Sequence, residues 1–346
     1  MIVAVRMTYN EAMKLVSVVL AASAACAQSW TPQVSNTTAG LRGLSAVDDK
    51  VVWASGTGGT FLRTADGATW IASRVPGAET LDFRGIRAFD ARTAFLMSIG
   101  PGDKSRIYHT TDAGEHWILQ FTHPDPKGFL DSIAFWDPTH GIVLGDALDG
   151  SADIRTTDDG GVHWQRQRTP PALPNEGSFA ASNTCLFLAG DRQVWFVTGG
   201  PGAARVFRST DRGRTWTVSA TPIRNDSASA GIFSIAFAGA RGIGVGGDYS
   251  KDKEDRQNIA LSTDGGRTWS APPAGPKGFR SAVAWVPARN LWIVTGTSGS
   301  DVSTDDGRTW KQFDDGSYNA LSFTSTGEGW AAGARGRIAR FHPAAR

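Results

Sequence analysis

LSTDGGRTW, residues 261–269, is a phrase that the chain repeats, and its recurrence decides the fold. Close copies are HTTDAGEHW (109–117), RSTDRGRTW (208–216) and VSTDDGRTW (302–310), with looser ones at RTADGATW (63–70) and RTTDDGGVHW (155–164). The looser pair read as one residue short and one residue long. The closing tryptophans Trp70, Trp117, Trp164, Trp216, Trp269 and Trp310 are spaced by 47, 47, 52, 53 and 41 residues. A period of that size belongs to a repeat architecture.

Each phrase is preceded by the same order of events. An alternating strand comes first, as in SIAF (132–135 and 234–237), AVAW (282–285) and ALSF (320–323). Apolar residues two apart give it one buried face. A second strand ends in glycine, as in VVWASG (51–56), GIVLG (141–145) and LWIVTG (291–296). A third runs into the phrase, and a fourth follows the tryptophan. Four antiparallel strands per unit predict a propeller blade.

Inner strands beginning near Leu41, Phe83, Leu130, Phe179, Ile232, Phe279 and Asn319 number seven. The expectation is an all-β, seven-bladed propeller of four-stranded blades over residues 28–346. The seventh unit stops after GRIARFHP (336–343), and QSWTPQVSN (28–36) resembles the strands that follow the phrase. The N-terminal strand is therefore expected to close the last blade, with Trp30 where a phrase tryptophan sits.

Composition narrows the rest. With 35 basic and 33 acidic residues intermixed, net charge +2, no basic stripe marks a nucleic-acid partner. MKLVSVVLAASAACAQ (13–28) has a lysine, an apolar run and the small-residue site Ala25-Cys26-Ala27, so residues 1–27 read as a secretory signal, with Met13 as an alternative start. Secretion or a periplasmic location follows. Lipidation at Cys26 is the weaker reading, because Ser23-Ala24-Ala25 lacks the usual leucine. No other apolar run is long enough to span a bilayer. Cys185, in NTCLFLAG, reads as a small buried hydrophobe. A closed ring gives no reason to require more than a monomer.

The phrase resembles the Asp-box of the BNR-repeat propellers, and the resemblance covers residues 28–346. Its Asp112, Asp158, Asp211, Asp264 and Asp305 are read as structural, each accepting N–H groups of its own turn. Trp117, Trp164, Trp216, Trp269 and Trp310 are read as covers between sheets. Units such as GWAAGARGRIARF resemble secreted bacterial relatives of the photosystem II stability/assembly factor. That resemblance implies a binding or assembly role on a protein or glycan in the cell envelope, on the face away from the boxes. It also implies an arginine-lined surface, which Arg42, Arg84 and Arg280 echo.

The segments on that face supply the candidates. Arg42, Arg84 and Arg280 open inner strands, with Asp131 and Asn319 in equivalent places. Asp146 and Asp248 end second strands, Tyr249 follows, and Glu176 precedes an inner strand, which places it near the channel. The competing expectation is an exo-acting glycoside hydrolase at the channel mouth. A sialidase-like site would use Tyr249 with Glu176, and a two-carboxylate site would use Glu176 with Asp248 or Asp131. The Arg-Ile-Pro motif of sialidases is absent, since the first blade reads GLRGLSAV. No cofactor motif appears. Asp146, Asp149 and Asp153 are a candidate Ca²⁺ cluster by residue type alone. KDKEDR (251–256) reads as solvated surface.

Overall fold

The computed structural model describes residues 28–344, so the proposed signal and Cys26 lie outside the described residues. Seven antiparallel sheets follow one another around a ring. Their inner strands are Leu41–Ala46, Asp82–Ala88, Leu130–Phe135, Leu186–Ala189, Ala230–Ala238, Ala282–Val286 and Ala320–Phe323, which number blades 1 to 7. The only helical pieces among the described residues are short 3₁₀ turns, and no helix there is long and apolar enough to cross a membrane.

The ring closes as expected. Ser29–Gln33 pairs antiparallel with Ile338–His342 and completes blade 7. Trp30 is 6% exposed, packs edge-on against Phe341 at 5.3 Å between centroids, and donates its indole N–H to Ser300 Oγ of blade 6 at 2.9 Å. Its place differs from the expectation in one respect. Trp30 lies inside its strand opposite Phe341, whereas Trp70 comes just before its own outer strand, Ile71–Arg74.

Two blades depart from the four-strand rule in detail. Blade 5 has three strands, and Leu261 meets Ser270 in a single bridge where the fourth would begin. Pro272 and Pro273 follow at once, and a residue without an N–H cannot extend that ladder. In blade 4 the inner strand starts at Leu186 rather than near Phe179. Residues 177–184 instead cross the end of the channel, a route that shapes the site below.

The box turns are staples. In the copy that decided the fold, Ser262 Oγ donates to Asp264 Oδ1 at 2.9 Å and accepts the Gly266 N–H at 2.9 Å. Asp264 Oδ1 also accepts from Arg267 N and Thr268 N, and its Oδ2 accepts from Thr268 Oγ1. These bonds hold its carboxyl well below the usual range, the Thr268 hydroxyl and N–H contributing most. In blade 3 this role belongs to Asp159, which takes Thr157 Oγ1 at 2.8 Å and the His163 N–H at 3.0 Å, and Asp158 is not the box carboxylate. The copy at 156–164 is thus full length, and its doubled Asp hides the register.

The box also ties two hairpins together. In blades 1 to 5 the N–H after the box Asp donates to the turn between first and second strands. The pairs are Gly67 to Lys50, Ala113 to Arg92, Gly160 to Thr139, Arg212 to Arg192 and Gly265 to Ala240, all 2.8–2.9 Å. The next glycine lets the turn sit against the preceding blade. A Cβ on Gly266, at φ 84°, would lie 2.9 Å from the Trp195 indole nitrogen. Trp117 likewise covers Trp53 and Phe61 of blade 1.

Candidate ligand site at the channel mouth

Strand direction sorts the two faces. Inner strands run from one face to the other, second strands return, and third strands descend again into the boxes. The boxes and the first-to-second turns therefore share a face. The opposite face carries the starts of the inner strands, the second-to-third loops and the blade connections. There a cavity of about 390 Å³ opens at the channel, lined by Arg42, Arg84, Asp131, Asp146, Tyr249 and Asn319 among others. Six of the sequence-nominated residues meet in it.

A shared backbone device aims several of them. The ladder between first and second strands slips at Leu41/Gly43, Phe83/Gly85, Leu130/Ser132 and Ile232/Ser234. The residues left over are Arg42, Arg84, Asp131 and Phe233, one per blade. A β-bulge re-aims its extra side chain, and here four bulges at equivalent places turn four side chains to the cavity. A small residue follows each, because the neighbouring sheet is close. A Cβ on Gly85 would lie 2.8 Å from an Ile133 methyl.

The two arginines converge on the segment that crosses the mouth. Arg84 Nη1 donates to Ala180 O at 2.9 Å and Arg42 Nη1 to Ala181 O at 3.3 Å. Arg84 is also paired with Asp82 at 2.8 Å, a carboxylate whose charge reaches Arg42 without an ion pair. Burial first, then the adjacent Arg84, pull the Arg42 guanidinium down to about 10. Asn319 is fixed by donating to Leu41 O at 3.2 Å.

Facing them are two acids. Asp146 accepts the Ser178 N–H at 2.9 Å, and burial raises its carboxyl above the ordinary value. Asp131 is 1% exposed, and its Oδ2 has no hydrogen-bond partner. Burial, then the Asp146 charge, push its carboxyl well above the ordinary range, against a smaller opposing pull from Arg84. An acid raised in the folded state costs stability once the pH exceeds its unfolded value, about 4. Asp131→Asn should therefore stabilise the protein at pH 8 by about 1–3 kcal/mol. The gain should vanish below pH 4, where both states hold a neutral acid. Thermal melts at the two pH values check this, and an equal gain at both would contradict it.

The apolar wall was not anticipated from sequence. Phe179 and Phe233 stack with centroids 3.8 Å apart, Phe279 meets Phe233 edge-on at 4.7 Å, and Tyr249 closes over both Phe179 and Phe233. Phe233 occupies the same place in IFSI (232–235) as Arg42 in LRGL (41–44) and Asp131 in LDSI (130–133). The aligned position was the available signal.

Other nominated residues are elsewhere. Arg280 is fully buried, and its guanidinium pairs with Asp301, with Nε to Oδ2 at 2.8 Å. Its place in the blade is that of Leu41 rather than Arg42: Ala282 pairs with Thr295 as Gly43 pairs with Ser55, so Ser281 takes the mouth position and Arg280 turns inward into the sheet. Glu176 does not face the channel. It is held by Arg205, by Thr198 Oγ1 and by the Leu173 N–H. Asp248 is 2% exposed and accepts the Ser250 N–H and the Ser227 hydroxyl, with Arg224 3.8 Å away. Tyr249 touches the phenylalanines and makes no hydrogen bond with Glu176. Neither the Tyr249–Glu176 pair nor the Glu176 carboxylate pairs are assembled.

Asp149 pairs with Arg166, and buried Asp153 pairs with His123 at 2.8 Å and Arg155 at 3.1 Å. With Asp146 on Ser178, the proposed Ca²⁺ triad does not converge, and no group of three His, Cys, Asp or Glu does so among the described residues. The KDKEDR run is partly tied down, because Glu254 binds the buried Arg224 at 2.6 Å. Cys185 is fully buried, and burial pushes its thiol up, which leaves it a packing residue.

Comparison with known proteins agrees with this architecture. The BNR/Asp-box repeat model matches residues 260–271, a stretch that contains LSTDGGRTW. A photosystem II assembly lipoprotein Ycf48 from Synechococcus sp. (strain CC9902) is 34% identical over 85 residues, 25% of this chain and 22% of the relative's length. The structure of YCF48 bound to D1 peptide superposes with a TM-score of 0.67 at 18% identity, over 91% of this chain and 97% of that one. YCF48 from Cyanidioschyzon merolae gives 0.66 at 17%, over 92% and 99%. The WD40 propeller domain of Doa1 gives 0.61 at 12%, over 91% and 97%, so the fold is shared well beyond one function. The chain is a seven-bladed β-propeller carrying BNR/Asp-box repeats, and it is similar in sequence and fold to the Ycf48 assembly factors.

Proposed function

We propose that this propeller is a binding or assembly protein acting outside the cytoplasm, holding a segment of another protein at the arginine-lined mouth opposite the Asp-boxes. The observation that carries the reading is the set of equivalent bulges presenting Arg42 and Arg84 beside a stacked phenylalanine wall. Guanidiniums recognise carboxylates with directed hydrogen bonds, and aromatic surface supplies the buried area around them. A relative named for photosystem II assembly and a similar structure with a D1 peptide bound support a protein ligand. The apolar run ahead of Gln28 supports export. A hydrolase would need a carboxylate pair at the mouth, and the nominated Glu176 is committed to Arg205.

The test is an array of short peptides tiling the envelope-exposed parts of the source organism's membrane proteins, with a glycan array in parallel. Peptides with acidic residues or a free C-terminus should bind, and the Arg42→Gln/Arg84→Gln variant should weaken them by about tenfold or more. Asp264→Ala should lose about 1–2 kcal/mol of stability, as removal of a capping carboxylate does, and bind as before. Peptide binding lost in folded Asp264→Ala but kept in the arginine variant would place the ligand on the other face.

A further inference from the structure

The mouth cavity has a charge arrangement that a docked peptide does not account for. Arg84 is paired with Asp82, whereas Arg42 feels the Asp82 charge only at longer range, so the two arginines together carry more positive charge than Asp82 offsets. Asp131 and Asp146 line the same cavity, and the Asp146 charge adds to burial in raising the Asp131 carboxyl. A cation placed between two such carboxylates favours their ionised forms. The cavity therefore offers one positive and one negative locus, with an aromatic wall beside them. Asp131 Oδ2, buried and without a partner, is an acceptor waiting for a donor.

We propose that this cavity binds a zwitterionic α-amino acid, its carboxylate on Arg42 and Arg84, its ammonium on Asp131 and Asp146, and an apolar side chain on Phe179 and Phe233. An ammonium brings three donors, enough for Asp131 Oδ2 and the Asp146 oxygen not held by Ser178. A ligand with only a carboxylate satisfies the arginine and leaves the acidic pair unpaired. A ligand with only an ammonium leaves Arg42 unpaired, a desolvation penalty on the opposite side. A volume of about 390 Å³ falls in the range of small-molecule sites, roughly 300–1,000 Å³, rather than that of a folded element. The inference rests on the mouth being a ligand site, and it needs no protein partner to fill it.

Three probes with one apolar body separate the charges: L-phenylalanine, 3-phenylpropionate without the ammonium, and 2-phenylethylamine without the carboxylate. Titration calorimetry of the purified protein should find L-phenylalanine bound about tenfold or more tightly than either half-probe. Asp131→Asn should remove the advantage of L-phenylalanine over 3-phenylpropionate. Arg42→Gln should reduce L-phenylalanine to the level of 2-phenylethylamine. The Asp131→Asn protein is expected to be at least as stable as the parent at neutral pH, so a loss of binding is not a loss of folding. Equal affinity for L-phenylalanine and 3-phenylpropionate overturns the proposal, as does the lack of saturable heat with all three probes. Peptide docking is read separately on the array, so either outcome leaves that test intact.

Discussion

Removal of residues 28–33 is expected to abolish the single cooperative melt of the protein, or to lower its midpoint by roughly 10 °C or more. Those residues supply the whole outer strand of blade 7, paired from Ser29 opposite His342 to Gln33 opposite Ile338. They also carry Trp30, which fills the space among Phe313, Tyr318, Phe323 and Phe341 and bonds to Ser300 of the neighbouring blade. Truncating a buried tryptophan alone costs about 3–5 kcal/mol. Losing the strand as well leaves Ile338–His342 an open edge and unlocks the ring, against a total stability of about 5–15 kcal/mol. The milder Trp30→Ala keeps the backbone pairing, and its loss should match the tryptophan term alone. An unchanged midpoint in the deletion would refute closure by the N-terminal strand.

The second large effect is at Arg280. Its guanidinium is fully buried, holds Asp301 through Nε and Nη2, and uses Nη1 on Phe279 O and Ser298 Oγ. Burial lowers its proton affinity and the Asp301 charge partly restores it. Arg280→Met leaves Asp301 as an unpaired buried charge, and such a change costs about 3–5 kcal/mol. Replacing both, Arg280→Met with Asp301→Leu, should recover most of the loss, because the pair itself adds little over apolar packing. Denaturant titration of the two variants reads this directly. A stable Arg280→Met protein that had lost its ligand would return Arg280 to the site.

The contrast between Arg280 and its two counterparts marks how far sequence could go. The period of the box phrase, the alternating inner strands and the orphan strand at 28–36 were enough to count blades and close the ring. Those features are local and repeat. The positions of Arg42, Arg84, Asp131 and Asn319 at the mouth follow from the same repeat, since equivalent places in a blade face equivalent directions. Which side chain takes the mouth place depends on the register between first and second strands, however, and a one-residue shift exchanges the mouth for the interior. Counted from the pairing, RSAV (280–283) matches LRGL and FRGI, so Ser281 holds the mouth place, Arg280 holds the buried place of Leu41 and Phe83, and three arginines that look alike in sequence separate into two at the mouth and one inside.

Glu176 was misplaced for a related reason. Its segment looked like the lead into an inner strand, but the strand begins ten residues later, at Leu186. The intervening chain crosses the channel and turns Glu176 back to Arg205. Phe233 carries no polar group to mark it as a site residue, although its place in the repeat is that of Arg42. In blade 3, the doubled Asp158-Asp159 could be resolved only by which carboxylate receives Thr157 and His163.

The central claim is that ligand binds at the mouth and that the boxes serve the fold. Site-specific photo-cross-linking tests it most directly, with the reactive residue placed at exposed Tyr249 on the mouth or at exposed Val162 in a box turn. Mass spectrometry of adducts formed with array-selected peptides should find them at position 249 and not at 162. Adducts at 162 with none at 249 would contradict the account and move the site to the box face.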